Sequence, residues 1–284
     1  MMTKVREMVL APMAKEMFDA NTRIPIIDIM GCNISSVSVF EALATIETWI
    51  ERQSQRCRFV VATGFHGLWE AQKSIDFRNV LNSADLFCPD GIAPVWLSRI
   101  MGEPLSGRVP GPDLLAAFVS VANIKGYSSF FLGDTPETLQ ALTTKIKNRY
   151  PGHRIAGTLS PPFRTLTEED NQTILKTIHE AKPDILWVAF GLPKQELWIF
   201  EHLKRLDIPV AIAAGAAFGF LSGKVRRVPA WVGRAGFEWL WRLAHEPRKL
   251  WHRDLVEGPR FLAHAIRACA RSRHPERNRH SYID

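Results

Sequence analysis

Short apolar runs alternate along the chain with longer stretches in which apolar residues recur every three or four positions. The first pattern predicts β-strands, and the second predicts helices that pack by one face. Predicted strands cover residues 24–29, 58–62, 86–89, 128–132, 155–158, 185–190 and 210–214, and predicted helices cover residues 38–53, 111–124, 135–149, 167–181 and 195–206. Several of these strands are almost entirely apolar, which is typical of a parallel sheet covered on both faces.

This alternation predicts an α/β fold with a doubly wound, mostly parallel, Rossmann-like sheet. In such sheets ligands bind beyond the carboxyl ends of the strands. The turns that follow the predicted strands are therefore the places where functional residues are expected.

Two turns carry hydroxyl or carboxyl groups suited to catalysis. Thr63-Gly64-Phe65-His66-Gly67 offers backbone N–H groups and a hydroxyl to a phosphate, although a simple capped turn would have the same sequence. Pro89-Asp90-Gly91 is a common turn sequence, yet it lies between two apolar segments. An acid in such surroundings has a raised pKa, which suits a general base that takes a proton from a sugar hydroxyl.

Two further turns are candidates for binding a nucleotide or a phosphate. Gly133 follows one predicted strand as a turn residue just before a helix start, an arrangement that is also found in ordinary βα turns. After Gly191, Lys194 could pair with a diphosphate and Gln195 could bond a base or a ribose. The alternative is a capped helix in which Glu196 interacts only with the helix dipole.

Charge is distributed unevenly along the chain. Up to Gly223 there are 22 Lys and Arg against 23 Asp and Glu, whereas from Lys224 onward there are 14 against 6. We divide the chain into an N-terminal extension (1–22), a catalytic domain (23–223) and a helical, basic, Trp- and Arg-rich C-terminal appendage (224–284). The appendage could bind nucleic acid, pack its tryptophans inward as a helix hairpin, or bind an anionic membrane surface. The combination of Trp and Arg favours the membrane, and no nucleic-acid module is recognisable.

Several common signatures are missing from the sequence. There is no dinucleotide fingerprint after the first strand, no P-loop and no Asp-x-Asp pair, so neither a cofactor nor a metal is expected. The four cysteines have no zinc-ligand spacing, which is typical of reduced thiols in a cytoplasmic protein. Neither a signal peptide nor a transmembrane helix is predicted.

Six motifs, taken in order, resemble a bacterial family of N-acetylmannosaminyl and related transferases that act in teichoic acid, common antigen and capsule or exopolysaccharide synthesis. The motifs are Thr63 after its strand, Pro89-Asp90-Gly91, Arg108-Val109-Pro110-Gly111-Pro112-Asp113-Leu114, Leu132-Gly133, Gly191-Leu192-Pro193-Lys194-Gln195-Glu196, and Arg227-Val228-Pro229-Ala230-Trp231 leading to Trp241-Arg242. The resemblance extends from about residue 24 to about residue 251.

The resemblance implies an inverting, metal-independent enzyme that moves a sugar from a UDP-sugar to a polyprenyl-diphosphate-linked acceptor at the inner face of the plasma membrane. It implies that Asp90 is the catalytic base and that Thr63 lies at the reaction centre. Residues expected on the donor side are Arg108, Gly133, Gly191, Lys194, Gln195 and Glu196. Arginines expected at the acceptor diphosphate and the membrane are Arg226, Arg227, Arg234, Arg242 and Arg248.

Two positions depart from the family pattern. Phe65 stands where many members have Asn, and Gly219 stands where many have Asp. His66, beside the first departure, becomes a second candidate for proton chemistry. Another nucleotide-sugar enzyme, such as an epimerase, and a non-enzymatic basic peripheral adaptor are the alternative functions. The sugar, the acceptor glycan and the presence of a homo-oligomer stay open.

Overall fold

The computed structural model describes residues 24–53, 56–225, 238–245 and 247–272. The strands are β1 (Ile26–Ile29), β2 (Cys32–Ser35), β3 (Arg58–Thr63), β4 (Leu86–Pro89), β5 (Ser128–Gly133), β6 (Arg154–Leu159), β7 (Ile185–Ala189) and β8 (Val210–Ala213). The helices are α1 (Val39–Glu51), α2 (Phe65–Lys73), α3 (Ile75–Asn82), α4 (Ala93–Met101), α5 (Gly111–Lys125), α6 (Pro136–Arg149), α7 (Glu168–Ala181), α8 (Lys194–His202), α9 (Ala217–Ser222), α10 (Glu238–His245), α11 (Pro247–Trp251) and α12 (Gly258–Ser272), with a π-helical segment at His252–Glu257.

Six strands form one parallel sheet in the order β4-β3-β8-β7-β5-β6. The predicted parallel α/β fold is therefore confirmed. The first predicted strand has a different place, because β1 pairs with β2 as a separate antiparallel hairpin. That hairpin is joined to the edge of the sheet by the Phe87 N–H, which donates to Ser35 Oγ at 3.1 Å.

Successive residues of each central strand enter two different apolar layers, because side chains alternate across a sheet. On β7, Leu186 and Val188 pack with α2, α3, α7 and α8, whereas Ile185, Trp187 and Ala189 pack with α1, α5, α6 and α9. All five residues are buried. Helices thus cover both faces of the sheet, as the nearly all-apolar strands predicted.

Several helices begin at the capping residues that the sequence offers. Thr135 accepts a hydrogen bond from the Thr138 N–H and is followed by Pro136 at the first helical position of α6. Ser38 and Glu41 form a reciprocal capping box at the start of α1. These caps fix where each helix leaves the carboxyl edge of the sheet or the loop before it.

The C-terminal helices lie against the first apolar layer. Phe261, Ala265 and Cys269 of α12 are buried at intervals of four residues and pack with α2 and α4. Among the described residues, no helix is both long enough and apolar enough to cross a bilayer. The basic character and the membrane role of the appendage stay predictions, as do the three domain boundaries.

Candidate active site

The turns singled out in the sequence meet at one edge of the sheet. β3 ends at Thr63, β4 at Pro89, β5 at Gly133 and β7 at Ala189. Since these strands are parallel, the turns that follow them share the carboxyl edge. The structure therefore brings the predicted catalytic and donor-side turns to the same side of the molecule.

Thr63 and Asp90 are joined through the backbone. Thr63 pairs with Pro89 in the parallel register, and the Asp90 N–H donates to the Thr63 carbonyl oxygen at 3.0 Å. The Thr63 side chain is buried and Asp90 is half-buried. The sequence-predicted catalytic pair is thus adjacent in space, although 27 positions separate the two residues.

Two glycines allow this close arrangement. A Cβ atom on Gly64 would lie 2.3 Å from the Asp90 carbonyl oxygen, and one on Gly67 would lie 2.2 Å from Thr63 Oγ1. Such distances are far inside van der Waals contact, so a side chain at Gly64 would displace the Asp90 backbone and one at Gly67 would displace the Thr63 side chain. The Thr-Gly-x-x-Gly spacing is therefore a packing requirement of this corner, whatever else its N–H groups bind.

The Arg108 segment runs beside the Asp90 turn. The Val109 N–H donates to the Pro89 carbonyl oxygen at 2.8 Å, which fixes the chain just after the half-buried Arg108. A Cβ on Gly111, the first residue of α5, would lie 3.6 Å from the Ala214 carbonyl oxygen. The segment is thus held between the end of β4 and the end of β8.

Gly133 is placed by a contact that only glycine tolerates. Its φ is +107°, and a Cβ there would lie 2.5 Å from the Ala189 carbonyl oxygen. The next N–H, from Asp134, donates to that same carbonyl at 3.1 Å. This turn therefore lies directly against the end of β7, next to the Gly191 turn.

The Gly191 turn is closed by buried side chains. Gln195 Oε1 accepts a hydrogen bond from the Gly191 N–H at 3.1 Å, and Gln195 Nε2 donates to Glu196 Oε1 at 2.9 Å. Both side chains are buried, and burial raises the pKa of Glu196 to about 7. Lys194 is exposed at the start of α8. Direct contact of Gln195 and Glu196 with a donor stays a prediction, because here they bond the turn and each other.

His66 belongs to a charged cluster between α2 and the π-helical segment. Its Nε2 lies 3.6 Å from Glu70 Oε1 and 3.7 Å from Glu257 Oε2, and burial lowers its pKa despite these carboxylates. The three side chains could in principle hold a metal ion. However, Lys73 Nζ lies 2.7 Å from Glu70 Oε1 and 2.5 Å from Glu257 Oε1, so both carboxylates already pair with an ammonium group.

The residue that departs from the family pattern beside Thr63 has a defined partner. The Phe65 ring lies 5.8 Å from the Phe261 ring of α12, and the Arg253 guanidinium lies 5.6 Å from the Phe65 ring centroid. Phe65 therefore docks the C-terminal helices onto the helix that follows Thr63. The sequence pattern did not predict this contact, since nothing local links positions so far apart.

The second departure, Gly219, also has a close neighbour in the structure. Gly219 is buried in α9, and a Cβ there would lie 3.1 Å from Val225 Cγ2. The Val225 N–H donates to the Gly219 carbonyl oxygen at 2.9 Å, which keeps the two residues close. An aspartate at this position would have to displace Val225.

The arginines predicted at the acceptor are only partly described. Arg248 is exposed on α11, and the backbone of Arg242 lies in α10. Arg226, Arg227 and Arg234 lie outside the described residues, as does the N-terminal extension. Their assignment to the acceptor diphosphate stays a prediction.

The candidate turns meet at the carboxyl edge of a parallel α/β sheet, which is where proteins of this architecture bind ligands. Residues 27–275 match the Glycosyl transferase WecG/TagA/CpsF family. The chain belongs to this family and is a glycosyltransferase, as the ordered motifs predicted.

Curated relatives agree with this assignment. The chain is 34% identical over 185 residues to the N-acetylglucosaminyldiphosphoundecaprenol N-acetyl-beta-D-mannosaminyltransferase of Bacillus subtilis (strain 168), covering 65% of this chain and 70% of the relative. It is 30% identical over 209 residues to the enzyme of the same name from Bacillus spizizenii, covering 74% of this chain and 79% of the relative. The Staphylococcus aureus (strain NCTC 8325) enzyme of that name is 26% identical over 216 residues, covering 76% of this chain and 83% of the relative.

Proposed function

We propose that this glycosyltransferase moves an N-acetylmannosamine-type or related hexose from a UDP-sugar to a polyprenyl-diphosphate-linked glycan, with inversion and without a metal ion. The acceptor class is supported by the names of the relatives, which act on N-acetylglucosaminyldiphosphoundecaprenol. Metal independence is supported by the absence of an Asp-x-Asp pair from the sequence. The observation that carries the proposal is the Thr63–Asp90 junction at the carboxyl edge of the sheet.

In the proposed mechanism, Asp90 accepts a proton from the acceptor sugar hydroxyl. The hydroxyl oxygen then forms a bond to the anomeric carbon of the donor while the bond from that carbon to the UDP oxygen breaks. Attack from the face opposite the leaving group inverts the configuration. UDP leaves with the bonding electron pair, and Asp90 retains the proton until it is lost to solvent.

The leaving diphosphate gains negative charge during this step. We assign its stabilisation to Arg108 and Lys194, which flank strand ends, with the Gly133 and Gly191 turns shaping the backbone around the diphosphate. Cations at such positions favour the charge that develops in the transition state. Gln195 and Glu196 lie beneath the Gly191 turn and complete the donor side.

The decisive test is Asp90→Asn, assayed for sugar transfer to a short-chain lipid-diphosphate acceptor. Turnover should fall by about 10²–10⁴ because the amide cannot accept the proton, while UDP affinity by calorimetry should stay unchanged. Asp76→Asn, on an exposed residue of α3, is the matched control and should retain full activity. Full activity in Asp90→Asn would remove Asp90 from the mechanism.

We also propose that the C-terminal appendage binds an anionic membrane surface, which would place the enzyme on the inner face of the plasma membrane. The described part of the appendage exposes Trp251, Leu255, Leu262 and Ile266, whose side chains are 51–61% exposed. Arg248, Arg260 and Arg267 are exposed on the same helices. Apolar side chains beside cations suit the interface of an anionic bilayer.

Vesicle sedimentation tests this second proposal. The wild-type protein should bind vesicles that contain phosphatidylglycerol more tightly than neutral phosphatidylcholine vesicles, with affinity falling as salt rises. The double variant Leu262→Gln/Ile266→Gln should reduce binding, because it removes the apolar component without changing charge. The matched control Ile124→Gln alters an equally exposed residue of α5, which is 65% exposed, and should bind as the wild type does. Equal binding by the double variant would contradict the membrane role of α12.

A further inference from the structure

Glu196 is a buried acid that the proposed mechanism does not use as a proton carrier. Its side chain has no exposed surface, and its Oε1 atom accepts the hydrogen bond from Gln195 Nε2. Among the described residues, its other oxygen, Oε2, has no hydrogen-bond partner. Burying a polar atom without a partner is unfavourable, so a fold that retains one points to a role for the group.

Gln195 connects Glu196 to the turn that follows β7. Because Gln195 Oε1 accepts from the Gly191 N–H, the amide directs Nε2 toward Glu196. The same Nε2 adjoins the turn after β8, since a Cβ built on Gly215 would lie 3.5 Å from it. The amide therefore links the buried acid to the Gly191 turn by two hydrogen bonds.

We propose that Glu196 is a positioning residue for sugar transfer, which holds the Gln195 amide in the orientation that fixes the turn at Gly191. The proposal rests on the proposed function, because the Gly191 turn is the one assigned to the donor diphosphate. In this role Glu196 acts on the reaction through Gln195, in place of the direct donor contact that the sequence predicts.

The protonation state of Glu196 makes this role dependent on pH. Burial raises its pKa to about 7, against the opposing effect of the hydrogen bonds from Gln195 and from its own backbone N–H. On the elements packed against α8, the charged residues are Asp76 and Arg78 of α3 and Arg58 of β3, while β7 and β8 contribute none. None of these three is among the causes of the shift.

The direction of the pH effect follows from the raised pKa. Between the unfolded pKa, near 4.5, and the folded pKa, near 7, the buried group stays neutral while the unfolded chain is already ionised. Stability therefore falls as pH rises through this window and levels off above pH 7. Above about pH 7, Glu196 carries a buried negative charge, and among the described residues no cation is a cause of its shift. Ionisation strengthens the hydrogen bond from Gln195, but the cost of burying the charge favours local opening that lets water reach the carboxylate, so the Gly191 turn should loosen.

The experiment compares Glu196→Gln and Glu196→Ala with the wild type between pH 6 and pH 9. Glu196→Gln resembles the neutral acid, so it should keep donor kcat/KM within about threefold at pH 6.5 and lack the fall that the wild type shows above pH 7. Glu196→Ala should raise the donor KM about tenfold at every pH, with a smaller change in kcat. Glu201→Gln, on an exposed residue of the same helix, is the matched control and should follow the wild type.

Thermal unfolding separates failure of this proposal from failure of the proposed function. The thermal unfolding midpoint of Glu196→Gln minus that of the wild type should increase from pH 6 to pH 8.5, whether or not transfer is detected. If the wild type uses no UDP-sugar, the proposed function fails. In that case, a difference in unfolding midpoint between Glu196→Gln and the wild type that stays constant with pH overturns the role of Glu196. Where transfer is detected, either of two results overturns the role of Glu196. One is a donor KM of Glu196→Ala equal to that of the wild type, and the other is a fall in donor kcat/KM above pH 7 that persists in Glu196→Gln.

Discussion

The turns after β3 and β4 and the C-terminal helices both contact the segment that begins at Thr63 and continues into α2, but they are held by different kinds of contact. The turns are joined by backbone hydrogen bonds and by glycines that leave no space for a Cβ atom. The C-terminal helices are held by rings, a cation over a ring and partly exposed ion pairs.

This difference teaches which part of the molecule can change without loss of the site. Backbone contacts at the van der Waals limit allow no gradual adjustment, so a substitution there moves the catalytic turn itself. Side-chain contacts between a helix and a domain surface can be lost one at a time. Their loss should release the helix without altering the sheet. We therefore expect global effects from the turns and local effects from the C-terminal helices.

The largest effect is expected from Gly64→Ala. The new methyl group would lie 2.3 Å from the Asp90 carbonyl oxygen, so the catalytic turn must move. Unfolding free energy should fall by about 1–3 kcal/mol, and transfer should fall by about 10²-fold if the turn shifts by about 1 Å. Chemical denaturation and initial rates measure the two quantities.

Gly107→Ala provides the control for that variant. Nothing lies within 4 Å of a Cβ at Gly107, and its φ is not in the left-handed region. Its effect on unfolding free energy should be within about 0.5 kcal/mol. Equal stability of the two variants would show that the Thr63–Asp90 corner is more compliant than its geometry indicates.

A smaller and local effect is expected from Phe261→Ala. This residue is 6% exposed and places its ring near Phe65 and Trp69, so removing it should weaken the docking of α12 by about 3 kcal/mol. Hydrogen exchange should show lost protection in α12 with little change in β3 and β7. Leu262→Ala, at a residue 59% exposed on the same helix, should leave exchange unchanged. Lost protection throughout the sheet would contradict the separation between the two regions.

The smallest effect is expected from Lys73→Gln. Lys73 bridges Glu70 and Glu257, but its side chain is 38% exposed, and exposed ion pairs contribute about 0–1 kcal/mol. The loss of hydrogen-exchange protection in α12 should be slight at low salt. It should vanish at about 0.5 M salt, where charges are screened beyond a few ångströms. Lys176→Gln, on a residue 79% exposed, is the control. A loss that persists at high salt would indicate a buried role for Lys73.

The sheet was the most predictable part of the molecule. Leu86–Pro89 was predicted to the residue, and the strand at 185–190 differs by one residue from β7, because runs of buried apolar residues reveal central strands directly. α2 and α4 were not predicted. Their apolar faces are short and overlap the turn motifs. Those residues were therefore interpreted as functional turns and not as helices. β2 was missed because its four residues, Cys32–Ser35, contain two polar side chains.

The candidate site was predictable as a set of turns but not as a set of contacts. Strand ends identify Thr63, Asp90 and Gly191, because parallel strands bring their carboxyl ends together. The bond from Gln195 to the Gly191 N–H, and the contact between Phe65 and Phe261, depend on packing that no local periodicity encodes. The steric reason for Gly64 likewise becomes visible only when the Asp90 turn lies beside it.

The contact between Gly219 and Val225 has a consequence for how sequences in this family can diverge. An acidic residue at position 219 requires Val225 to shift by a few tenths of an ångström, since a Cβ there would lie 3.1 Å from Val225 Cγ2. A smaller residue at position 225 would create that room in advance. The two positions should thus be coupled, and an exchange at 219 should be tolerated better after one at 225. A designer who wishes to restore the common family acid should begin with Val225.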